Sequence, residues 1–136
     1  MTPNEYQKEA LRTEQPTRGL TDIFVVARGD TKNRATQYKL ESIISRDRLI
    51  NGLMGLNGEA GEAIDILKKH LFQGHPLDSE HLAKELGDVA WYLAVSADAL
   101  GYSLEEILQM NVDKLRARYP DGFEAERSVN RTAEDV

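Results

Sequence analysis

Apolar residues recur at intervals of three and four along most of the chain, and this spacing is typical of amphipathic helices. The pattern predicts three long helices: one from about Thr36 to Phe72 with a break near Ser45, one from Asp78 or Ser79 to Leu100, and one from Ser103 to Tyr119. Each is followed by glycine or proline, in the segments QGHP, LGY and YPDG. Such residues are typical helix-stop signals, so the chain is predicted to turn sharply between helices.

A shorter helix is predicted at the N-terminus. Thr2 occupies an N-cap position, Pro3 the first helical position and Glu5 the closing position of a capping box, and the helix is predicted to end near Glu14. Residues 15–33 are predicted to form an ordered loop or a single short strand around DIFVV. We therefore predict an all-α bundle of four to five helices. It forms one domain over residues 1–123, followed by a polar tail over residues 124–136.

Two pairs of carboxylates lie at helical spacing. Glu59 and Glu62 are three residues apart on the first long helix, and Glu85 and Asp88 repeat that spacing on the next. Each pair is predicted to lie beside an apolar stripe, formed by Leu53, Leu56, Ala60, Ala63, Leu67 and Leu71 on one helix and by Leu82, Leu86, Val89, Leu93, Ala97 and Leu100 on the other. Antiparallel packing of the two stripes would bring all four carboxylates to one edge of the core.

Four converging anions repel one another strongly unless a cation lies between them. Hard divalent cations such as Mg²⁺ prefer carboxylate oxygen. Either acidic pair alone would be ordinary solvated surface, but two pairs on consecutive helices favour a metal site.

Glycine recurs every third residue immediately before these acids, at Gly52, Gly55, Gly58 and Gly61. Helical side chains lean toward the N-terminus, so a side chain at Gly55 or Gly58 would crowd the space in front of the acids. We interpret these two glycines as clearance for a metal–phosphate complex, with close helix packing as the alternative. Packing is the interpretation for Gly52 and Gly61.

The composition narrows the class of protein. The chain has 136 residues, 29% of them charged, and a net charge of −6, which argues against binding to nucleic acid polymers or anionic membranes. It has no cysteine, so thiolate chemistry is excluded. The N-terminus lacks a secretory signal pattern, and we expect a soluble cytoplasmic protein. Trp91, Ala94 and Val95 lie away from the predicted stripe, which predicts a second covered face and hence a homodimer or homotetramer.

Polar residues near the acids are candidates for substrate binding. Tyr92 lies one turn after Asp88 and is expected either to contact a base or sugar or to be a half-buried bundle residue. Lys69 is placed to meet a phosphate, with a solvated lysine as the alternative. On the last long helix, Asn111, Lys114 and Arg118 form a polar and cationic strip suited to phosphate oxygens. His81 is interpreted as helix surface.

Three segments, GLNGEAGEAIDILKKH, KELGDVAWYLA and NVDKLRARYPDGF, resemble the MazG-like nucleoside triphosphate pyrophosphohydrolases of the all-α NTP pyrophosphatase superfamily. The resemblance covers residues 50–123. It implies a MazG-like helix bundle that hydrolyses a nucleoside triphosphate to the monophosphate and pyrophosphate, with Mg²⁺, or Mn²⁺ as a substitute. By position, Glu59, Glu62, Glu85 and Asp88 match the family's metal-binding carboxylates.

The same resemblance places expected phosphate contacts at Lys69, Asn111, Lys114 and Arg118. Many relatives have a further glutamate directly before the first motif glutamate, where this chain has Gly58. Because no nucleophilic side chain with a partnered base is evident, we expect direct attack of water on the α-phosphorus. Phosphoribosyl-ATP pyrophosphohydrolase and a non-catalytic helical dimerisation module are the alternative functions.

Overall fold

The computed structural model describes residues 1–15, 23–27 and 40–130. These residues form five helices and two strands: α1 (Pro3–Leu11), β1 (Ile23–Ala27), β2 (Leu40–Ser45), α2 (Arg46–Gln73), α3 (Ser79–Ala99), α4 (Leu104–Arg118) and α5 (Ala125–Val129). None of the helices in the described ranges has the length and apolarity to span a bilayer.

The described residues divide into two compact units between Leu104 and Glu105. The first unit contains α1, the two strands, α2 and α3, and the second contains the rest of α4 and α5. The predicted domain bounds, residues 1–123 with a polar tail from residue 124, stay a prediction. The start of that tail forms α5.

Local signals fix most of the helix ends. The capping box of α1 is formed as predicted, because the Glu5 amide donates to Thr2 Oγ1 at 3.2 Å and the Thr2 amide donates to Glu5 Oε2 at 2.6 Å. Asp78 caps α3 by accepting from the His81 amide at 2.9 Å. Gly74 and Gly101 have φ angles of 71° and 75°, the left-handed conformation that ends a helix and that glycine adopts without strain. The predicted stops after α2 and α3 are therefore confirmed.

The strands correct the prediction in one region. Helix was predicted from about Thr36, but Leu40–Ser45 is a strand paired antiparallel with Ile23–Ala27, and α2 begins at Arg46, where a break was expected. The register pairs Ile23 with Ser45, Phe24 with Ile44, Val25 with Ile43, Val26 with Ser42 and Ala27 with Leu40, with an irregularity between Val26 and Ala27. Short apolar runs with β-branched residues are compatible with a helix or a strand, and pairing with a second strand decides between the two. The all-α prediction thus holds for the helices and misses this two-stranded sheet; the predictions for residues 16–22 and 28–39 lie outside the described residues.

Side chains of α3 pack directly against two glycines of α2. A Cβ atom built on Gly52 would lie 2.3 Å from Ser96 Oγ, and one built on Gly55 would lie 2.1 Å from Tyr92 Cε1. Both distances are far below van der Waals contact, so a larger residue at either position would displace the Ser96 or Tyr92 side chain or the helices themselves. Gly55 therefore serves close packing, and its interpretation as clearance for a ligand is wrong.

The two remaining glycines of the series are open. A Cβ atom on Gly58 or Gly61 would meet no described atom within 4 Å. Gly61 thus lacks the packing contact predicted for it, whereas the space in front of Gly58 agrees with the clearance interpretation.

The predicted apolar stripes are buried only in part: Ala63 and Ala97 are buried and Leu56 and Leu67 are half-buried, whereas some other members are exposed. Leu53 and Leu71 of α2 are 54% and 60% exposed, and Leu86 of α3 is 58% exposed. The reason is that Gly52 and Gly55 face α3, and Leu53 and Leu71 lie about 100° around the helix from Gly52, on the flank of α2.

The second face of α3 is covered by α1. Ala10, Ala94 and Leu104 form a small buried core, with Tyr6, Trp91 and Leu93 packed against it. The Trp91 indole donates to the Ala10 carbonyl at 3.0 Å and to Thr13 Oγ1 at 2.8 Å. The prediction that another subunit covers Trp91, Ala94 and Val95 is therefore wrong in its reasoning, because the N-terminal helix of the same chain covers this side.

A buried amide ties α1 to the end of α3. The Gln7 side chain is 7% exposed; its Nε2 donates to the carbonyls of Ala94 and Tyr102 at 3.2 and 3.1 Å, and its Oε1 accepts from the Leu104 amide at 2.9 Å. One side chain thus bonds three backbone groups at this junction, which helps to fix the turn that leads into α4.

Arg48 of α2 connects this helix to α3 and to the residues that follow α1 through one guanidinium group. It donates to both oxygens of Glu14, just after α1, at 2.7 and 2.6 Å, and to Asp98 Oδ2 near the end of α3 at 2.7 Å. The hydrogen bonds with Glu14 raise the pKa of Arg48 above its ordinary value. The planar guanidinium fork suits this bidentate geometry, which a lysine could not reproduce.

Substitution by alanine is predicted to have opposite effects at a glycine packed against α3 and at a glycine with open space around it. Gly55→Ala is expected to destabilise the fold by about 1–3 kcal/mol, because the new methyl group overlaps the Tyr92 ring. Gly61→Ala, the matched control on the same helix, is expected to stabilise it by about 0.5–1 kcal/mol through helix propensity. Urea unfolding followed by circular dichroism measures both. A stabilising Gly55→Ala would contradict the close packing of α2 and α3.

Candidate metal centre

Carboxylates from α2 and α3 meet where the two helices face each other. One oxygen atom from each of Glu59, Glu85 and Asp88 can be chosen so that all three lie within 4.8 Å of one another. Glu85 is buried, with 8% of its surface exposed, while Glu59 is half-buried and Asp88 is exposed. The three acids therefore form a site that is closed on the Glu85 side and open to solvent on the Asp88 side.

The electrostatics of this cluster favour a cation. Partial desolvation raises the pKa of Glu59, and the charges of Glu62, Asp88 and Glu85 and a hydrogen bond with Glu85 raise it further. A raised carboxylate pKa means that the negative charge is disfavoured where it stands. A divalent ion among these oxygens would reverse that penalty.

Glu62, the fourth predicted ligand, lies apart from the other three. It is exposed and, among the described residues, is not part of the group of oxygens within 4.8 Å. Its charge nevertheless acts on Glu59, one turn away on the same helix. The structure thus brings three of the four predicted carboxylates together and leaves Glu62 at their edge.

The donor set fits a hard divalent cation. Three carboxylates offer only oxygen ligands, which Mg²⁺ and Mn²⁺ prefer. Mg²⁺ usually binds through a few carboxylates and keeps positions for water and phosphate oxygens. The open side of the cluster at Asp88 agrees with that requirement.

Two residues near the cluster were not predicted. His81 is exposed, as predicted, but its Nε2 atom also lies 2.8 Å from Glu85 Oε1, a contact that was not predicted. The hydroxyl of Tyr6 donates to the Gly87 carbonyl at 3.3 Å, and burial, together with the nearby Asp88 charge, raises the pKa of Tyr6. The four-residue spacing of His81 and Glu85 was a usable signal, whereas the contact from α1 was not visible in the sequence.

Lys69 forms an ion pair on its own helix. Its Nζ lies 2.7 Å from Asp65 Oδ2, and Lys68 pairs with the same carboxylate. Hydrogen bonds from Lys68 and then Lys69 lower the pKa of Asp65 to about 2. The role of Lys69 in phosphate binding stays a prediction, and a phosphate would have to compete with Asp65 for it.

Tyr92 packs between the helices. Its ring meets the position where a Cβ of Gly55 would be, and it contacts the Trp91 ring edge-on, with centroids 4.8 Å apart. The ring is half-buried, as in the alternative interpretation of a bundle tyrosine. Its contact with a base or sugar stays a prediction.

Asn111, Lys114 and Arg118 lie on α4 in the second unit. Asn111 and Lys114 are exposed, and the Arg118 guanidinium lies 5.9 Å from the centroid of the Tyr119 ring. Their predicted role in phosphate binding stays a prediction.

A metal bound to this cluster must stabilise the fold. At a Mg²⁺ concentration 100 times its Kd, linkage predicts a gain of about 2.7 kcal/mol, seen as a rise in Tm. Glu85→Gln removes one ligand charge and is expected to abolish most of that rise.

Glu80→Gln is the matched control, because Glu80 lies on the same helix and pairs with the exposed Lys84. Thermal unfolding with and without Mg²⁺ measures the difference. An equal rise in Tm in Glu85→Gln and the unmodified protein would exclude Glu85 as a ligand.

Comparison with known proteins agrees with the resemblance seen in the sequence. Residues 50–123 match the sequence profile of the MazG nucleotide pyrophosphohydrolase domain. The chain is also 35% identical over 105 residues to the Gene 37 protein of Mycobacterium phage L5, a match that covers 74% of this chain and 90% of that protein. No solved structure matches the chain. The matched segment contains both acidic pairs.

Proposed function

Because the chain belongs to the MazG nucleotide pyrophosphohydrolase family, we propose that it is a Mg²⁺-dependent enzyme that hydrolyses ribo- or deoxyribonucleoside triphosphates to monophosphates and pyrophosphate. The observation that carries the proposal is the meeting of Glu59, Glu85 and Asp88 at the α2–α3 interface. An acidic protein of net charge −6 needs such a cation to accept a polyanionic substrate.

The proposal assigns each candidate residue a role. Glu59, Glu85 and Asp88, with Glu62 at their edge, hold the metal. When bound, Mg²⁺, or Mn²⁺ in its place, neutralises phosphate charge and lowers the pKa of a coordinated water. Substrate contacts are assigned to Lys69, Tyr92, Asn111, Lys114 and Arg118.

The reaction is a direct displacement by water. The water oxygen forms a bond to the α-phosphorus, the bond from that phosphorus to the bridging oxygen breaks, and pyrophosphate leaves. One of Glu59, Glu62 or Glu85 orients the water and takes its proton. The chain has no cysteine, and the sequence shows no serine–histidine motif, so no covalent enzyme intermediate is proposed.

Product analysis tests the bond that is cleaved. A panel of nucleoside triphosphates with Mg²⁺, followed by ³¹P NMR, is expected to yield pyrophosphate and monophosphate. Glu85→Gln is expected to lose more than about 100-fold in kcat/KM, since even outer-shell partners of a metal are worth about 10–100-fold.

The Glu80→Gln variant should retain activity, because its carboxylate lies outside the cluster. Release of orthophosphate would refute the assigned bond. Phosphoribosyl-ATP belongs in the same panel: a strong preference for it over all ordinary triphosphates would favour the alternative substrate.

We also propose that the protein is a homo-oligomer, with α2 providing the interface. Leu53, Ile64 and Leu71 are spaced by eleven and seven residues, close to whole numbers of helical turns, and each is more than half exposed. Together with Phe72, which is 80% exposed, Ile64 and Leu71 border a groove of about 400 Å³ along α2. Soluble monomers rarely expose an apolar face of this length.

Molar mass in solution tests the assembly. Leu71→Lys is expected to shift the protein toward monomer in light scattering coupled to size-exclusion chromatography, because it places a charge in the proposed interface. Val129→Lys is the control, since Val129 is also an exposed apolar residue but lies on α5, outside the proposed interface. A monomeric unmodified protein would refute the assembly.

A further inference from the structure

His81 contacts the most buried member of the carboxylate cluster. Its Nε2 atom lies 2.8 Å from Glu85 Oε1, and its backbone amide donates to Asp78 Oδ1 at 2.9 Å. The cap at Asp78 fixes the first turn of α3, and His81 extends from that turn over Glu85. One end of the Glu85 carboxylate is therefore held from within α3.

The position of Glu85 requires such a contact. Its side chain is only 10% exposed, so water does little to solvate it, and oxygens of Glu59 and Asp88 lie within 4.8 Å of it. Repulsion between these groups favours rotamers that turn the Glu85 carboxylate away from the cluster. A hydrogen bond donated to Oε1 opposes that turn.

The contact with His81 leaves Glu85 able to bind a cation. A carboxylate has two oxygens with about four lone-pair sites, and one N–H group occupies a single site. A neutral imidazole with its proton on Nε2 is already a donor, so the bond does not require a charged histidine. Partners of this kind, outside the ligand shell, orient metal ligands in many proteins.

We propose that His81 is a positioning residue for the metal centre: its imidazole holds Glu85 in the orientation that binds the divalent cation. The inference rests on the proposed function, because it assigns Glu85 as a ligand. His81 acts through Glu85 and has no part in bond cleavage. Its contribution lies in metal affinity rather than in the fold, since the His81 side chain itself is 56% exposed.

Binding of Mn²⁺ without nucleotide tests the proposal in the full-length chain. Free Mn²⁺ is measured by electron paramagnetic resonance as protein is titrated. His81→Leu removes the donor and is expected to weaken Mn²⁺ binding about tenfold. His81→Gln keeps an N–H donor at a similar distance along the side chain and is expected to bind nearly as well as the unmodified protein.

Lys84→Leu is the matched control, because Lys84 is a cation one turn further along α3 that pairs with Glu80 outside the cluster. It is expected to leave the Mn²⁺ affinity unchanged. Thermal unfolding without metal completes the set, with His81→Leu expected to unfold close to the temperature of the unmodified protein.

The outcomes separate this inference from the proposed function. If the unmodified protein binds no Mn²⁺, the metal centre itself is refuted and the role of His81 with it. If the unmodified protein binds Mn²⁺ and His81→Leu binds it equally well or more tightly, only the positioning role is overturned. A lower Tm of His81→Leu with unchanged affinity would likewise overturn it, because it would mean that His81 only supports the fold.

Discussion

The close approach of α2 and α3 at Gly52 and Gly55 is the constraint on which the rest of the structure depends. Each glycine gives up helix propensity, about 1 kcal/mol relative to alanine, to let Ser96 and Tyr92 lie against the backbone of α2. One turn further along, the same approach puts Glu59 opposite Glu85 and Asp88. The spacing of the acids is thus set by the Ser96 side chain and the Tyr92 ring packed against the glycine backbone of α2.

Such an interface lowers the stability of the fold, and the surrounding contacts offset that loss. Ser96 Oγ is buried with no hydrogen-bond partner among the described residues, and the acids repel one another. Arg48 holds the opposite end of the helix pair through Glu14 and Asp98, and Gln7 fixes the turn after α3. Arg48 and Gln7 thus connect α1, α2 and α3 at one end, and the mutually repelling acids lie further along the α2–α3 pair, where a bound cation can offset their repulsion.

The features that could be predicted from the sequence are those with local causes. The cap at Thr2, the cap at Asp78 and the left-handed Gly74 and Gly101 follow from the residues within one turn of each helix end. The two acidic pairs were found for the same reason, since residues three apart on a helix are always neighbours.

The features that the sequence analysis missed depend on contacts between distant segments. Ile43 and Ile44 fit a helix until their pairing with β1 is known, and Trp91 looks uncovered until α1 is placed over it. Gly55 could equally have been clearance or packing, because the choice depends on which residue of α3 faces it. Periodicity finds the apolar face of a helix but does not name what covers it.

The rotation of α2 links the proposed metal centre to the proposed assembly. A helix offers only about 3.6 positions per turn, so turning the glycines and Glu59 toward α3 places Leu53, Ile64 and Leu71 on the exposed flank of α2. If α2 instead packed Leu53, Ile64 and Leu71 against α3, the acids would face solvent. Water would then solvate their charges, and a bound cation would be less strongly favoured. Since turning Glu59 toward α3 leaves Leu53, Ile64 and Leu71 exposed, a second apolar surface is needed to cover them, and another copy of the same face would satisfy it. On this argument the α2–α3 interface is not purely apolar, and the proposed catalytic site and the proposed self-association both follow from the same rotation of α2.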